Sequence, residues 1–129
     1  MPPPSVVPAG VTCDALVNST DLFATVLDLC GRVSEAEDSI SMVPLFEDPS
    51  TTIRDWVYAE QFSDDRTEDL RMARGRNFKL MQDRAASTEA LYDMRLAPPG
   101  QDGSAIVPPY DAEQLEAYTD LRSVLAEQR

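Results

Sequence analysis

Histidine is absent from this sequence of 129 residues, lysine occurs once, at Lys79, and cysteine occurs twice. Without histidine, the chain by itself cannot build a Ser–His–Asp or Cys–His catalytic site, or the histidine-containing zinc sites that dominate metal catalysis. No stretch approaches the ~20 apolar residues that a membrane-spanning helix needs, so we expect no membrane partner. The length suits one ordinary domain and excludes a large two-domain enzyme.

Basic residues are also scarce. Eleven Lys and Arg residues face 23 Asp and Glu residues, which gives a formal net charge of −12. A field of this sign repels phosphate backbones and anionic membranes. Nucleic acid is therefore not an expected partner of this acidic protein.

The two cysteines, Cys13 and Cys30, do not form a C-x-x-C motif. Because Cys30 falls on an apolar helical stripe, the pattern favours two small buried hydrophobic residues over a disulfide or a metal site. Residues 1–10 contain four prolines and have neither a cationic region nor an apolar core long enough for export. We therefore expect no cleaved signal peptide in this chain, which as it stands would be cytoplasmic.

An amphipathic helix is predicted over residues 18–30. Asn18 is placed as its N-cap with Asp21 three residues on, Val17 is placed to pack on Leu22, and Gly31 is placed to end the helix. The apolar stripe of this helix consists of Leu22, Phe23, Val26, Leu27 and Cys30. Such a stripe must be buried against another surface.

After the irregular connection over residues 32–52, the spacing of the apolar residues changes to a period of two, which is typical of a strand. The rings of Trp56, Tyr58 and Phe62 alternate as on a half-buried strand. Three further short segments, at 70–74, 77–81 and 89–94, are spaced as hairpins would require. The pattern predicts a small antiparallel meander of about four strands.

A closing helix is predicted over residues 112–127, after the Pro/Gly-rich loop 97–103. Asp111 is its N-cap, Gln114 lies three residues on, and Tyr110 is placed to pack on Leu115. Its apolar stripe consists of Leu115, Tyr118, Leu121 and Leu125. The predicted fold class is α+β, with this helix lying across the meander.

Four segments, taken in order, resemble the sulfatase family. Residues 16–31 resemble a segment that in this family usually consists of a polar pair, Thr/Val-Asp, two apolar positions, Pro-Thr, a leucine-rich turn and Gly. Three later segments also resemble parts of the family sequence. The family's next strand is matched by Val57-Tyr58-Ala59-Glu60. Its "Arg, three residues, aromatic-Lys-Leu" hairpin is matched by Met72-Ala73-Arg74-Gly75-Arg76-Asn77-Phe78-Lys79-Leu80-Met81, and its "Glu-Leu-Tyr-Asp-Leu" strand by Glu89-Ala90-Leu91-Tyr92-Asp93-Met94. Ala24 stands where the family usually has Pro, and the sequence at 97–100 departs from the expected Asp-Pro-x-Glu turn.

The resemblance implies the carboxy-terminal portion of an arylsulfatase-like hydrolase of the alkaline phosphatase superfamily. Residues 1–50 would then be the end of the α/β catalytic domain plus a linker, and residues 51–129 a carboxy-terminal antiparallel subdomain. For a full-length relative, the resemblance implies a calcium ion and a formylglycine made from Cys or Ser in a Cys/Ser-x-Pro-x-Arg motif.

That motif is missing from this sequence. Neither Cys13 nor Cys30 has Pro two residues on or Arg four residues on, and no serine satisfies the pattern. No catalytic, cofactor-binding or metal residue can therefore be assigned in these 129 residues. We expect the chain alone not to hydrolyse sulfate esters.

Two groups of charged residues are weaker candidates for a site. The acidic residues at 64–65 and 68–69 suggest calcium, but the alternating ligands and central Gly of an EF-hand loop are missing, which favours a solvated hairpin tip. Arg74, Arg76 and Lys79 are candidates for contact with an anionic substrate, although pairing with surrounding carboxylates is the more common role of such cations. Glu60 is predicted to be a buried, paired carboxylate.

Two hypotheses about function remain. In the first, the chain is a structural and pocket-shaping part of a sulfatase-type hydrolase, and its partner is a missing or separate catalytic domain. In the second, it is a self-contained small binding module. The apolar surface of helix 18–30 favours the first, and it also predicts self-association of the isolated chain through that helix.

Overall fold

The computed structural model of the chain describes residues 9–33, 35–65, 67–95, 97 and 101–128. The proline-rich start and Pro98-Pro99-Gly100 of the predicted loop lie outside these residues. The chain divides into two compact units, Met1–Asp55 and Trp56–Arg129, called here the amino-terminal and carboxy-terminal units. Within the described ranges, no helix combines the length and hydrophobicity that a bilayer crossing requires.

The amino-terminal unit contains two helices, α1 (Asp21–Leu29) and α2 (Val43–Glu47). Helix α1 starts later than predicted, because Thr20 and not Asn18 is its N-cap, and no side chain caps it. Asp21 instead accepts a hydrogen bond from the Asn18 backbone N–H at 2.7 Å, which secures the turn before the helix. Helix α2 lies inside the connection predicted to be irregular, and Pro44 occupies its first turn, where proline is tolerated.

The carboxy-terminal unit contains a five-stranded antiparallel sheet. Its strands are β1 (Val57–Phe62), β2 (Asp69–Arg74), β3 (Phe78–Asp83), β4 (Thr88–Asp93) and β5 (Ser104–Ile106). They pair in sequence order, β1-β2-β3-β4-β5. The predicted meander is therefore confirmed, with β5 as an additional strand too short to show a period in the sequence.

The register places one row of core residues across all five strands. Tyr58, Ala73, Leu80, Leu91 and Ile106 are successive partners in this row. Ala73, Leu80 and Leu91 are fully buried. Since side chains alternate between the faces of a sheet, the whole row lies on one face, called here the helix face.

Helix α3 (Ala112–Glu127) covers the helix face, as predicted, with the buried residues Leu121, Val124 and Leu125. It begins with the predicted capping box, in which the Asp111 carboxylate accepts from the Gln114 N–H and the Gln114 amide oxygen accepts from the Asp111 N–H. The structure has the fold class predicted from the sequence, α+β.

Two predictions about this unit are wrong, namely the packing of Tyr110 on Leu115 and the half-burial of Phe62. Leu115 is 53% exposed, and Tyr110 packs instead against Tyr118, with ring centroids 5.3 Å apart. Phe62 is 70% exposed although it shares the face of Tyr58. Phe62 pairs with Asp69 at the far end of the β1–β2 hairpin, two rows beyond the core residue Tyr58, so the correct face does not bury it.

Candidate functional site

The structure brings together two of the three cations that the sequence identified as candidates. Arg74 at the end of β2 and Lys79 in β3 are direct partners in the register. Both lie on the face of the sheet opposite α3, because Ala73 and Leu80 beside them belong to the helix face. Arg76 lies in the turn between these strands and is exposed. Like charges directly opposite each other on neighbouring strands are destabilising unless something compensates them.

Lys79 is compensated within its own unit. Its ammonium group forms an ion pair with the carboxylate of Asp102 and lies 4.9 Å from the ring centroid of Tyr92. The residue is only 6% exposed. Tyr92 is the next partner of Lys79 in the register, so the sheet itself sets this cation–π contact.

Arg74 differs from the other half-buried arginines. Among the described residues, Nε of Arg54, Arg71 and Arg74 is buried without a hydrogen-bond acceptor. The Arg54 guanidinium nevertheless pairs with Asp21, and Arg71 Nε lies 3.9 Å from both Glu60 and Asp69. No carboxylate in the described part of the chain pairs with Arg74 in this way. The pair Arg74 and Lys79 therefore combines two cations with one counter-charge, Asp102.

Helix α1 presents a polar, hydrogen-bonding side to its own unit. Asp21 is fully buried, where its carboxylate pairs with Arg54 and accepts from the Ile40 N–H at 2.9 Å. The buried Thr25 hydroxyl accepts from the Met42 N–H at 2.9 Å, and the Ser39 hydroxyl accepts from the Ala24 N–H at 2.9 Å. The segment after the helix is thus held to α1 by polar contacts.

The apolar side of α1 is exposed. Leu22, Phe23 and Val26 are between 57% and 58% exposed, and Leu29 is 37% exposed. The predicted apolar stripe therefore exists, but the unit leaves it largely uncovered, and the predicted packing of Val17 on Leu22 is wrong because both side chains are exposed. We call Leu22, Phe23, Val26 and Leu29 the outer face of α1.

The cysteines are free and exposed, so the prediction that both are buried is wrong. Cys30 is the C-cap of α1 and continues the outer face, which explains its exposure. Cys13 donates a hydrogen bond to the Pro49 carbonyl at 3.1 Å. Cys13 also lines a mostly apolar cleft of about 260 Å³ in the amino-terminal unit. The other residues that line this cleft are Val11, Ala15, Val17, Met42, Leu45, Phe46 and Pro49.

The acidic residues at the β1–β2 hairpin serve local hydrogen bonding. Asp65 accepts from the hydroxyls of Ser63 and Thr67, and these bonds lower the pKa of Asp65 to about 2. Within the residues that the structure describes, no group of three or more Asp, Glu, Cys or His side chains is suited to hold a metal ion. Glu60 is paired, with Tyr58 donating at 2.6 Å, but it is exposed, not buried as predicted.

Several residues of these clusters had no distinguishing signal in the sequence. Asp102 pairs with Lys79 from a loop. In the sequence, Tyr92 was notable only as part of the sulfatase-like segment 89–94. Arg54 pairs with Asp21 across a long sequence separation. Such long-range partners follow from the fold, whereas the Arg74 and Lys79 pair follows from hairpin register alone.

Comparison with known proteins gives matches among solved structures only. No family model matches the chain, and no curated protein matches it. A protein assigned as a sulfatase from Bacteroides thetaiotaomicron VPI-5482 matches with a TM-score of 0.66 and 26% identity over 83% of this chain. A 2-O GAG sulfatase matches with a TM-score of 0.62 and 26% identity over 83% of this chain.

A third structure shares the fold at 21% identity, with a TM-score of 0.61 over 83% of this chain; it was solved in complex with its substrate, D-glucosamine-2-N,6-O-disulfate. The chain spans 23% of the length of the two sulfatases and 22% of the third protein. The fold of this chain is therefore sulfatase-like and corresponds to a minor part of a sulfatase. The resemblance found in the sequence is confirmed at this level.

Proposed function

We propose that this chain is the non-catalytic, carboxy-terminal part of an arylsulfatase-like hydrolase of the alkaline phosphatase superfamily. Its role is to complete the fold of the catalytic domain and to shape the edge of the substrate pocket. The likeness of the fold to sulfatases supports the general class. The outer face of α1 is the observation that supports the structural role.

The physical reason lies in how α1 is oriented. A helix on the surface of an independent domain turns its apolar side inward and its polar side to water. In α1 the buried residues are Asp21, Ala24 and Thr25, whereas Phe23 and Val26 are more than half exposed. This arrangement is stable in a longer protein in which a second surface covers the outer face.

The chemistry of the proposed hydrolase lies outside these residues. The Cys/Ser-x-Pro-x-Arg motif is missing from the sequence, and the described residues supply no carboxylate cluster suited to calcium. Formylglycine, which the family resemblance implies, therefore does not fit this sequence, and calcium does not fit the residues that the structure describes. We expect the 129 residues alone to show no sulfate-ester hydrolysis above buffer.

The experiment compares two exposed helical surfaces. The double variant Phe23→Gln and Val26→Gln makes the outer face of α1 polar, and Leu115→Gln does the same for a residue of α3 with similar exposure. We expect the unchanged chain to bind a hydrophobic dye and to self-associate, and only the double variant to lose both properties. A monodisperse chain that does not bind the dye would contradict the proposal.

A chimera extends this experiment to the proposed partner. The matched portion of the 2-O GAG sulfatase is replaced by this chain, with and without the double variant. We expect the chimera to be soluble and the double variant to make it aggregate or degrade, because the covered face would then be polar. Equal solubility of the chimera with the double variant and with Leu115→Gln would exclude α1 as the interface.

A further inference from the structure

We propose that the outer edge of β1 binds an extended, basic segment of a partner protein, which pairs with β1 as an additional antiparallel strand. The outer edge is the side of β1 that faces away from β2. This site lies in the carboxy-terminal unit and is independent of the function proposed above.

Strand β1 is an open edge of the sheet. It stands at one end of the strand order and pairs with β2 on one side only. Its register with β2 runs from Val57 to Phe62 without a bulge, and residues 57–62 contain no proline or lysine. Natural sheets use such features to protect a long edge, because the free N–H and C=O groups accept another strand. The opposite edge, β5, has only three residues, so β1 is the edge with room for a further strand.

The register shows which backbone groups of β1 point outward. The Ser63 N–H donates to the Glu68 carbonyl at 3.0 Å, which continues the β1–β2 ladder by one pair. Since antiparallel pairs alternate between bonded and non-bonded, Gln61 bonds to β2, whereas the backbone groups of Glu60 and Phe62 point outward. In the described part of the chain, these outward groups have no hydrogen-bond partner. The N–H and C=O groups of both residues are therefore available to an added strand.

The side chains of this edge define the sequence of the partner. Glu60 and Phe62 lie on the helix face, and the Phe62 residue is 70% exposed while the Glu60 side chain is 43% exposed. Side chains directly opposite each other on neighbouring strands interact. An antiparallel segment with an apolar residue opposite Phe62 and a basic residue opposite Glu60 has the sequence pattern apolar-x-basic.

Charge favours a basic partner over a second copy of this chain. Residues 60–69 contain five acidic residues and one basic residue, Arg66. Glu60 shares Arg71 with Asp69, since Arg71 Nε lies 3.9 Å from both carboxylates. A second copy would bring the same acidic residues to the edge, and like charges on paired strands are destabilising. A basic segment supplies the missing counter-charge.

The test follows amide hydrogen exchange in the full chain by NMR. The probe is a capped peptide, Thr-Val-Thr-Lys-Thr-Thr, which places Val opposite Phe62 and Lys opposite Glu60. Without the peptide, the N–H groups of Glu60 and Phe62 should exchange quickly and that of Gln61 slowly. Saturating peptide should slow exchange at Glu60 and Phe62 about tenfold or more, because both groups then donate to the peptide. Unchanged exchange at both residues in millimolar peptide would reject the edge site.

Two altered peptides separate strand pairing from attraction between charges. N-methylation of the Val and Lys backbone nitrogens keeps the charge but removes the donors that face β1, so it should weaken binding about tenfold or more. Replacement of Lys by Glu keeps the donors and should weaken binding about fivefold or more, because two carboxylates then face each other. Equal binding of the N-methylated peptide would overturn strand pairing, and equal binding of the Glu peptide would overturn the basic partner.

Substitutions in the chain provide a matched control. Glu60→Gln should weaken binding of the Lys peptide about fivefold, because the charge opposite Lys is lost. Glu116→Gln removes the same charge from an exposed position of α3 and should change the affinity less than about twofold. Equal losses in the two variants would mean that the peptide responds only to net charge, which would overturn the site.

Pairing between two copies is the competing outcome. The double variant Phe23→Gln and Val26→Gln lacks the association expected through α1, so exchange in this variant is compared at several protein concentrations without peptide. We expect exchange at Glu60 and Phe62 to be independent of concentration. Protection that rises with concentration would identify a second copy as the occupant and overturn the basic partner. Dye binding and the chimera report on α1 alone, so the edge site and the proposed function can fail separately.

Discussion

The two units of this chain differ in the side chains that they bury most completely. In the carboxy-terminal unit, the sheet and α3 enclose apolar residues such as Leu80, Leu91 and Leu125. In the amino-terminal unit, α1 buries Asp21 and Thr25 and leaves the outer face exposed. The carboxy-terminal unit has an apolar core of its own. The amino-terminal unit depends on polar contacts around one buried carboxylate.

This difference separates two sources of stability. A sheet covered by a helix gains stability from apolar area that its own residues remove from water. A helix held by hydrogen bonds and one ion pair gains less, because each of those contacts replaces a contact with water. The outer face of α1 is therefore the surface whose burial would add most to the stability of the amino-terminal unit.

The largest effect is expected at Asp21 and its partners Arg54 and Ile40, which we call the polar centre of the amino-terminal unit. Asp21→Ala leaves Arg54 without its partner and the Ile40 N–H without an acceptor, and the loss of one partner of a buried ion pair costs about 3–5 kcal/mol. Hydrogen exchange at Ile40 and Met42 should then approach the rate of an unfolded chain. Asp14→Ala, which removes an exposed carboxylate from the same unit, should leave exchange unchanged. Unaltered protection in Asp21→Ala would contradict the polar-centre description.

The next effect compares an apolar residue in each unit. Leu80→Ala creates a cavity at a fully buried position and should lower the free energy of unfolding of the carboxy-terminal unit by about 3 kcal/mol. Val26→Ala on the outer face should change the free energy of unfolding by less than about 0.5 kcal/mol. Trp56 packs against the core, so its fluorescence during denaturant unfolding measures the effect of Leu80→Ala. Circular dichroism measures the effects of Leu80→Ala and Val26→Ala. Similar losses in both variants would mean that the outer face is already covered.

A smaller effect is expected at Gly103, which precedes β5. A Cβ at this position would lie 1.5 Å from the backbone oxygen of Asp93, so the chain must shift to accept any other residue. Gly103→Ala should cost about 1–3 kcal/mol and move the amide resonances of β4 and β5. Gly31→Ala in the other unit meets no neighbouring atom, but it places a side chain at φ +71° and should cost about 1 kcal/mol. A Gly103→Ala chain with unchanged β5 resonances would refute this contact.

The elements with local causes were predictable from the sequence. Helix α3 begins at the predicted residue because Asp111 and Gln114 form a capping box within four residues. The strands follow from period-two patterns, and hairpin register places Arg74 opposite Lys79. The exposure of Phe62 was not predictable, because a periodic pattern assigns a face of the sheet but not the distance from the covering helix.

The orientation of α1 also depended on distant residues. Its apolar stripe was correctly predicted from spacing, but the spacing contains no information about what covers the stripe. Asp21 and Thr25 are buried because backbone N–H groups at Ile40 and Met42 donate to them. The same limit applies to the candidate site, where Asp102 joins Lys79 from a loop.

The smallest expected effect is the response of the two units to alkali. All four tyrosines lie in the carboxy-terminal unit, and burial together with the hydrogen bond to Glu60 raises the pKa of Tyr58 to about 12. Because this pKa is above the unfolded value of 10.0, the contribution of Tyr58 to stability is complete below pH 10 and is lost as the pH rises through 12. Ultraviolet absorbance of the unchanged chain and of Tyr58→Phe should reveal this late titration. Glu60→Gln should lower the Tyr58 pKa only in part, since burial is the larger cause, and a Tyr58 that titrates at 10 would show that its ring is not buried in the core.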